Sequence, residues 1–115
     1  MKQIAILTCL RACKVCTGAS CLKAWNARER GFSCYADEEA SLAAFFHCNG
    51  CDSDPETDPG MLEKIERLEK IGVDTVHIGV CAVTDMETKA LCPTIEKIAS
   101  MLRERKIEVV RETHQ

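Results

Sequence analysis

Short apolar runs alternate along the chain with segments of helical periodicity. The apolar runs predict four β-strands, which cover residues 4–8, 41–47, 74–80 and 106–110. Between them, apolar residues recur every three or four positions and predict three helices. These helices cover residues 17–30, then 59–71, and a last segment that begins at Cys92-Pro93 and includes Ile95, Ile98 and Leu102.

The ends of the predicted helices carry recognisable capping residues. Asp58-Pro59 is suited to begin a helix, and Gly72 is suited to end it. Thr17 is the expected N-cap of the first helix, and Gly31 is expected to end it in a left-handed conformation. The stretch 32–41 has no clear period and is expected to be a loop.

The resulting element order is βαβαβαβ, which predicts one α/β domain over residues 1–115. We expect a small three-layer fold with a mainly parallel, four-stranded sheet and helices on both faces. In such sheets, sites form beyond the carboxyl ends of the strands. Any functional residues should therefore gather at that edge.

Composition narrows the class of function. The chain has nine cysteines, an odd number, and it begins with no recognisable signal peptide. We therefore expect a cytoplasmic protein with reduced thiols, where dense cysteines indicate metal binding or thiol chemistry. The net charge of -3 and the scattered Lys and Arg residues disfavour a nucleic-acid partner. No apolar stretch is long enough to suggest a membrane span.

Eight of the nine cysteines fall at the predicted carboxyl edge of the sheet. They follow strands, lie in loops, or stand at helix starts, where thiolates are stabilised. Cys34 alone stands apart, and Cys21 could equally face the core from its helix. The candidate metal ligands are Cys9, Cys13, Cys16, Cys21, Cys48, Cys51, Cys81 and Cys92.

These thiols predict a metal centre, and an iron–sulfur cluster is preferred over zinc. Eight thiols exceed the four ligands of one tetrahedral zinc, and a sheet with a core does not need zinc to fold. Cys9, Cys13 and Cys16 form a C-x3-C-x2-C array in which three thiolates can converge. The expected role is electron transfer, metal handling or redox sensing, with a redox protein as a candidate partner. The oligomeric state is left open.

A second hypothesis is a thiol–disulfide oxidoreductase or redox switch. Cys48 and Cys51 form a C-x2-C pair, a spacing that metal knuckles share with thiol oxidoreductases. Among the histidines, His47 adjoins Cys48 and is a candidate nitrogen ligand. His77 lies on a strand and is expected to be a hydrogen-bonded core residue, and His114 is expected to lie in a disordered tail.

The chain resembles the CGGC-domain family over nearly its whole length. The resemblance implies a metal-binding role, suspected from the family's cysteines and histidines, and implies no settled reaction. In the central motif, Asn49 stands where the family name implies Gly. Like Gly, Asn tolerates the left-handed backbone conformation that such a turn uses. The residues that carry the resemblance are Cys9, Cys16-Thr17-Gly18, Phe46-His47-Cys48-Asn49-Gly50-Cys51, Val76-His77-Ile78-Gly79-Val80-Cys81 and Cys92-Pro93.

Overall fold

The computed structural model describes residues 1–85, 87–88 and 90–114, and its centre is a parallel four-stranded sheet. The strand order is β2-β1-β3-β6, in which β1 and β3 are the inner strands. Leu7 of β1 lies opposite Phe46 of β2 on one side and Ile78 of β3 on the other. The strands of the sheet are β1 (Lys2–Thr8), β2 (Ala40–His47), β3 (Thr75–Ile78) and β6 (Glu108–Val110).

In the described residues, three α-helices and three short 3₁₀ helices lie between the strands of the sheet. The α-helices are α1 (Ala19–Ala27), α2 (Pro59–Lys70) and α3 (Pro93–Glu104). The 3₁₀ helices cover Ala12–Lys14, Arg30–Tyr35 and Val80–Ala82, and an antiparallel hairpin is formed by β4 (Val83–Asp85) and β5 (Ala90–Leu91). The predicted α/β class, parallel sheet and element order are confirmed.

Alternating residues of β1 bury two separate apolar layers, one on each face of the sheet. Ala5 and Leu7 pack with α2 and α3, whereas Ile4 and Ile6 pack with α1 and the Arg30–Tyr35 helix. Because side chains alternate along a strand, a buried strand must be apolar on both faces. The prediction of helices on both faces is therefore confirmed.

The structure corrects several local predictions. Helix α1 ends at Ala27 with Arg28, not Gly31, in the left-handed conformation (φ 54°), and Gly18 rather than Thr17 is its N-cap. The stretch 32–41 is not a simple loop, since most of the Arg30–Tyr35 helix lies there. The apolar residues of this stretch do not recur at a helical spacing, so the sequence did not predict so short a 3₁₀ helix.

Capping behaves as predicted at α2. Asp58 is its N-cap and accepts a hydrogen bond from the Gly60 N–H through Oδ1, and Pro59 is the first residue of the helix. No helix in the described residues is long and apolar enough to cross a membrane.

Candidate thiolate site

The loop after β1 winds into a helical turn that gathers its cysteines. The Cys13 N–H donates to the carbonyl of Cys9 at 3.0 Å, and the Cys16 N–H donates to the carbonyl of Ala12 at 2.9 Å. Residues four and three apart lie on the same side of such a turn. These backbone bonds bring Cys9 within one turn of Cys13 and Ala12 within one turn of Cys16.

Cys81 joins this loop from the end of β3. Its Sγ accepts a hydrogen bond from the Cys9 N–H, with an N···S distance of 3.3 Å. Gly79 leaves the space that this sulfur needs, because a Cβ at position 79 would lie 3.3 Å from the Cys81 Sγ. The ends of two inner strands are thus joined through one sulfur.

Electrostatic interactions extend the group to α1. Burial raises the pKa of Cys81, and the charges of Cys9, Cys21 and Cys13 raise it further, whereas the Cys9 N–H lowers it. Burial also raises the pKa of Cys21, as do the charges of Cys16 and Cys13. We name the group formed by Cys9, Cys13, Cys16, Cys21 and Cys81 the β1 cluster.

The position of Cys21 near the start of α1 does not favour its thiolate, contrary to the expectation from the sequence. Cys21 is 4% exposed, and its burial is the largest cause of its raised pKa. A hydrogen bond with the Thr113 side chain lowers this pKa and does not offset the effect of burial. Cys21 was predicted either as a metal ligand or as a core residue. It is buried in the core, and other thiols act on its pKa.

The C-x2-C pair contacts the loop after β1 at Leu10 and Arg11, and its Cys48 lies on the α2 and α3 side of the sheet. Cys48 is buried among the apolar residues of that layer, and its Sγ accepts from the Leu10 N–H at 3.4 Å. Cys51 is exposed, and its Sγ lies 3.9 Å from the guanidinium Nη1 of Arg11. Cys48 thus lies in a different apolar layer from Cys21, which packs with α1.

A polar network holds the C-x2-C loop in place. Lys64 Nζ donates to the His47 carbonyl and to Asn49 Oδ1, both at 2.7 Å. Asn49 Nδ2 in turn donates to Asp58 Oδ2 at 2.7 Å. Asn49 therefore connects a lysine with a carboxylate, which a glycine at this position could not do. The left-handed turn residue is Gly50 (φ 104°) and not Asn49, so the turn needs no tolerance from Asn49.

The remaining two cysteines have different surroundings. Cys92 is the N-cap of α3, as predicted, and packs partly buried against the α2 and α3 layer. Cys34 is exposed on the Arg30–Tyr35 helix, and the ring of its neighbour Tyr35 lies 6.0 Å from Lys2 Nζ at the start of β1. Cys34 is thus near the opposite edge of the sheet from the thiols.

The histidines occupy three kinds of position. His77 is buried, with Nε2 at 2.7 Å from the Tyr35 hydroxyl and Nδ1 at 2.7 Å from the Glu112 carbonyl, so its prediction as a core residue is confirmed. His47 Nδ1 contacts the Cys48 carbonyl at 2.8 Å. The prediction of a disordered tail at His114 is wrong, because His114 Nδ1 lies 3.4 Å from the Cys21 Sγ.

Because His77 is buried, we expect the fold to lose stability as the pH falls. Its burial lowers its pKa below the ordinary 6.5, although the Glu112 carbonyl and the charges of Glu108 and Glu112 oppose this. Below about pH 6.5 the unfolded chain binds a proton that folded His77 refuses, so stability is lost as pH falls through the folded pKa. We expect this residue to contribute up to about 1.4 kcal/mol per pH unit to that loss.

The measurement is urea unfolding of reduced, metal-free protein between pH 7.5 and 5. His77→Gln should flatten the decline of unfolding free energy with acid. An equal decline in wild type and His77→Gln would contradict the assignment.

The donor chemistry of the site fits a soft metal, although its geometry is not that of a finished site. Thiolates are the ligands that zinc and iron–sulfur clusters take. In the part of the chain that the structure describes, no three His, Cys, Asp or Glu side chains are already arranged to hold a metal ion. A metal would therefore require thiol side chains of the β1 cluster to turn toward one point and lose their protons.

The fold and its edge of thiols define a cysteine-rich α/β protein. A family model described as the CGGC domain matches residues 3–114, and the chain belongs to this family. Comparison with curated proteins and with solved structures gave no match. The family match and the nine cysteines fit a cysteine-rich metal-binding protein.

Proposed function

We propose that the protein binds a thiophilic metal through the β1 cluster, as an iron–sulfur cluster or as zinc. One observation carries this proposal: the Cys9 N–H donates to the Cys81 Sγ and links the thiols of two strand ends. Hydrogen bonds from backbone N–H groups to sulfur favour the thiolate, the form that binds metal.

Further donors around the cluster support the same proposal. The Gly18 N–H donates to the Cys16 Sγ at 3.3 Å, and the Thr8 hydroxyl lies 3.3 Å from the Cys13 Sγ. Such contacts orient metal-bound thiolates and tune their charge. Mutual repulsion among the thiolates, which raises the pKa of Cys81 and Cys21, is relieved when a cation is bound.

The candidate ligands are Cys9, Cys13 and Cys81 with Cys16 or Cys21, and Cys92 and the C-x2-C pair lie outside this set. Five thiols are enough for the four ligands of either an iron–sulfur cluster or one zinc ion, so this set of thiols is compatible with both forms. A bound cluster would supply one-electron transfer, and zinc would supply a structural or Lewis-acid centre. For a cluster we propose a redox protein as the partner.

A second candidate function, thiol–disulfide exchange, is favoured by the contact between Arg11 and Cys51. The Arg11 guanidinium lies beside the Cys51 sulfur, exposed Cys51 is accessible to a partner, and Cys48 is buried. Cys51 would attack a partner's disulfide, and Cys48 would then release the partner by closing the Cys48–Cys51 bond. Two electrons and two protons pass to the partner, which leaves with two thiols.

One anaerobic purification separates the two functions. We expect iron with sulfide, or zinc, to copurify, and we expect the free-thiol count to rise by several per chain after acid and chelator. A brown preparation indicates the iron–sulfur cluster, and a colourless one with bound zinc indicates zinc. Metal-free protein that loses about two thiols on mild oxidation would overturn the metal proposal in favour of thiol–disulfide exchange.

A further inference from the structure

The last residues of the chain form a strap that crosses the α1 side of the molecule. The strap covers residues 111–114 and follows β6. The Glu112 carbonyl lies 2.7 Å from His77 Nδ1, and the Thr113 carbonyl accepts from the Gly31 N–H at 2.9 Å. Thr113 is fully buried, at 0% exposure. The strap is therefore docked in the fold and does not trail from it.

Gly31 makes this docking possible. A Cβ at position 31 would lie 2.6 Å from the Glu112 carbonyl carbon, closer than any side-chain carbon approaches a backbone atom. Because the neighbour is backbone, the clash could be relieved only by moving the strap or the Arg30–Tyr35 helix. Gly31, which the sequence suggested as a helix cap, thus has its role in the approach of the strap.

The strap places an imidazole next to a thiol of the β1 cluster. His114 Nδ1 lies 3.4 Å from the Cys21 Sγ and 3.3 Å from the Thr113 hydroxyl. Two ligands of one tetrahedral zinc, with bonds of about 2.3 Å to sulfur and about 2.0 Å to nitrogen, lie about 3.5 Å apart. The separation of Nδ1 and Sγ is that of a hydrogen bond, and it is also compatible with two donors to one metal ion.

Other thiols lie within electrostatic range of this pair. The charges of Cys16 and Cys13 act on Cys21, and the charge of Cys21 acts on Cys81. Cys21 and His114 with two of these thiols would make a three-cysteine, one-histidine set, which is a common structural zinc site. One imidazole in place of a thiolate also lowers the negative charge of the centre by one.

We propose that His114 is a nitrogen ligand of the metal centre and that docking of the strap delivers it to Cys21. The proposal rests on the proposed metal-binding function and specifies its donor set as mixed sulfur and nitrogen. Strap docking and metal binding are then coupled, since each stabilises the position of His114. Loss of either should weaken the other.

The test is Co²⁺ titration of reduced, metal-free protein under anaerobic conditions, followed by absorption spectroscopy. The visible d–d bands of tetrahedral Co²⁺ depend on the number of sulfur and nitrogen ligands. We expect His114→Ala to change these bands and to lower Co²⁺ affinity by at least about tenfold, as loss of a ligand costs no less than loss of an outer-shell contact. Cys34→Ser, which lies outside the β1 cluster, is the control and should behave as wild type.

Two further variants separate the ligand from the strap. His114→Cys should restore tight binding and add the near-ultraviolet charge-transfer intensity of one more thiolate. Gly31→Ala keeps His114 and displaces the strap, and it should weaken Co²⁺ binding as His114→Ala does. These variants hold the chain's other thiols constant.

Three results would overturn the inference. Identical Co²⁺ spectra and affinity in wild type and His114→Ala would remove His114 from the ligand set while leaving the proposed metal function intact. Wild-type binding by Gly31→Ala would remove the strap from the delivery of His114. Absence of Co²⁺ binding by wild type would overturn this inference and the zinc form of the proposed function, whereas the anaerobic purification tests the iron–sulfur form separately.

Discussion

Cys81→Ser should lose its metal, whereas Cys34→Ser should keep the wild-type content. The Cys81 Sγ accepts a hydrogen bond from the Cys9 N–H at 3.3 Å and interacts electrostatically with three other thiols. Its removal therefore deletes the centre of the proposed ligand set. Serine preserves the size of the side chain, but its hydroxyl does not ionise near neutral pH. We expect metal affinity to fall by at least about tenfold.

Cys34→Ser is the matched control for this loss. Cys34 is exposed and lies outside the β1 cluster, so its thiol should contribute to the thiol count and not to metal content. The measurement is metal per chain by elemental analysis after anaerobic purification, together with a chelator competition. Equal losses in the two variants would show that the assignment to the β1 cluster is wrong.

Phe32→Ala should destabilise the fold by about 3–5 kcal/mol, a large part of the stability of an ordinary domain. Phe32 is 0% exposed and packs edge-on against Trp25, with ring centroids 5.4 Å apart. Its ring also lies 4.7 Å from that of His77, which holds the strap. The truncation therefore opens a cavity under the part of the fold that carries His114.

Phe45→Ala provides the comparison for this variant. Phe45 is 40% exposed on β2, so the same truncation removes far less buried surface. Urea unfolding of both reduced, metal-free variants measures the difference directly. Similar losses of unfolding free energy would contradict the placement of Phe32 at the centre of its apolar layer.

The division of the thiols changes what the cysteine count implies. From the sequence, eight cysteines at one edge of the sheet suggested a single large centre or two metal sites. In the structure, Cys48 packs with α2 and α3, whereas Cys21 packs with α1 on the opposite face. Cys48 and Cys21 can therefore be replaced separately, which tests the candidate dithiol and the candidate metal cluster one at a time.

Local patterns in the sequence determined the fold class and the edge at which the cysteines lie. Apolar runs such as Ile4–Leu7 favour buried parallel strands, and the Asp58-Pro59 pair begins a helix by local capping. Both depend on residues close in sequence. Since parallel strands end at one edge, cysteines that follow β1 and β2 must lie near each other.

Only the tertiary structure decided which thiols share an environment and what joins them. The face on which Cys48 or Cys21 lies depends on the pleat and packing of distant elements, and one residue of register reverses it. The place of His114 depends on contacts that its neighbours in the strap make with Gly31 and His77. These two residues lie 83 and 37 positions before His114 in the sequence. No local pattern encodes such contacts, because they form only when the sheet and its layers are assembled.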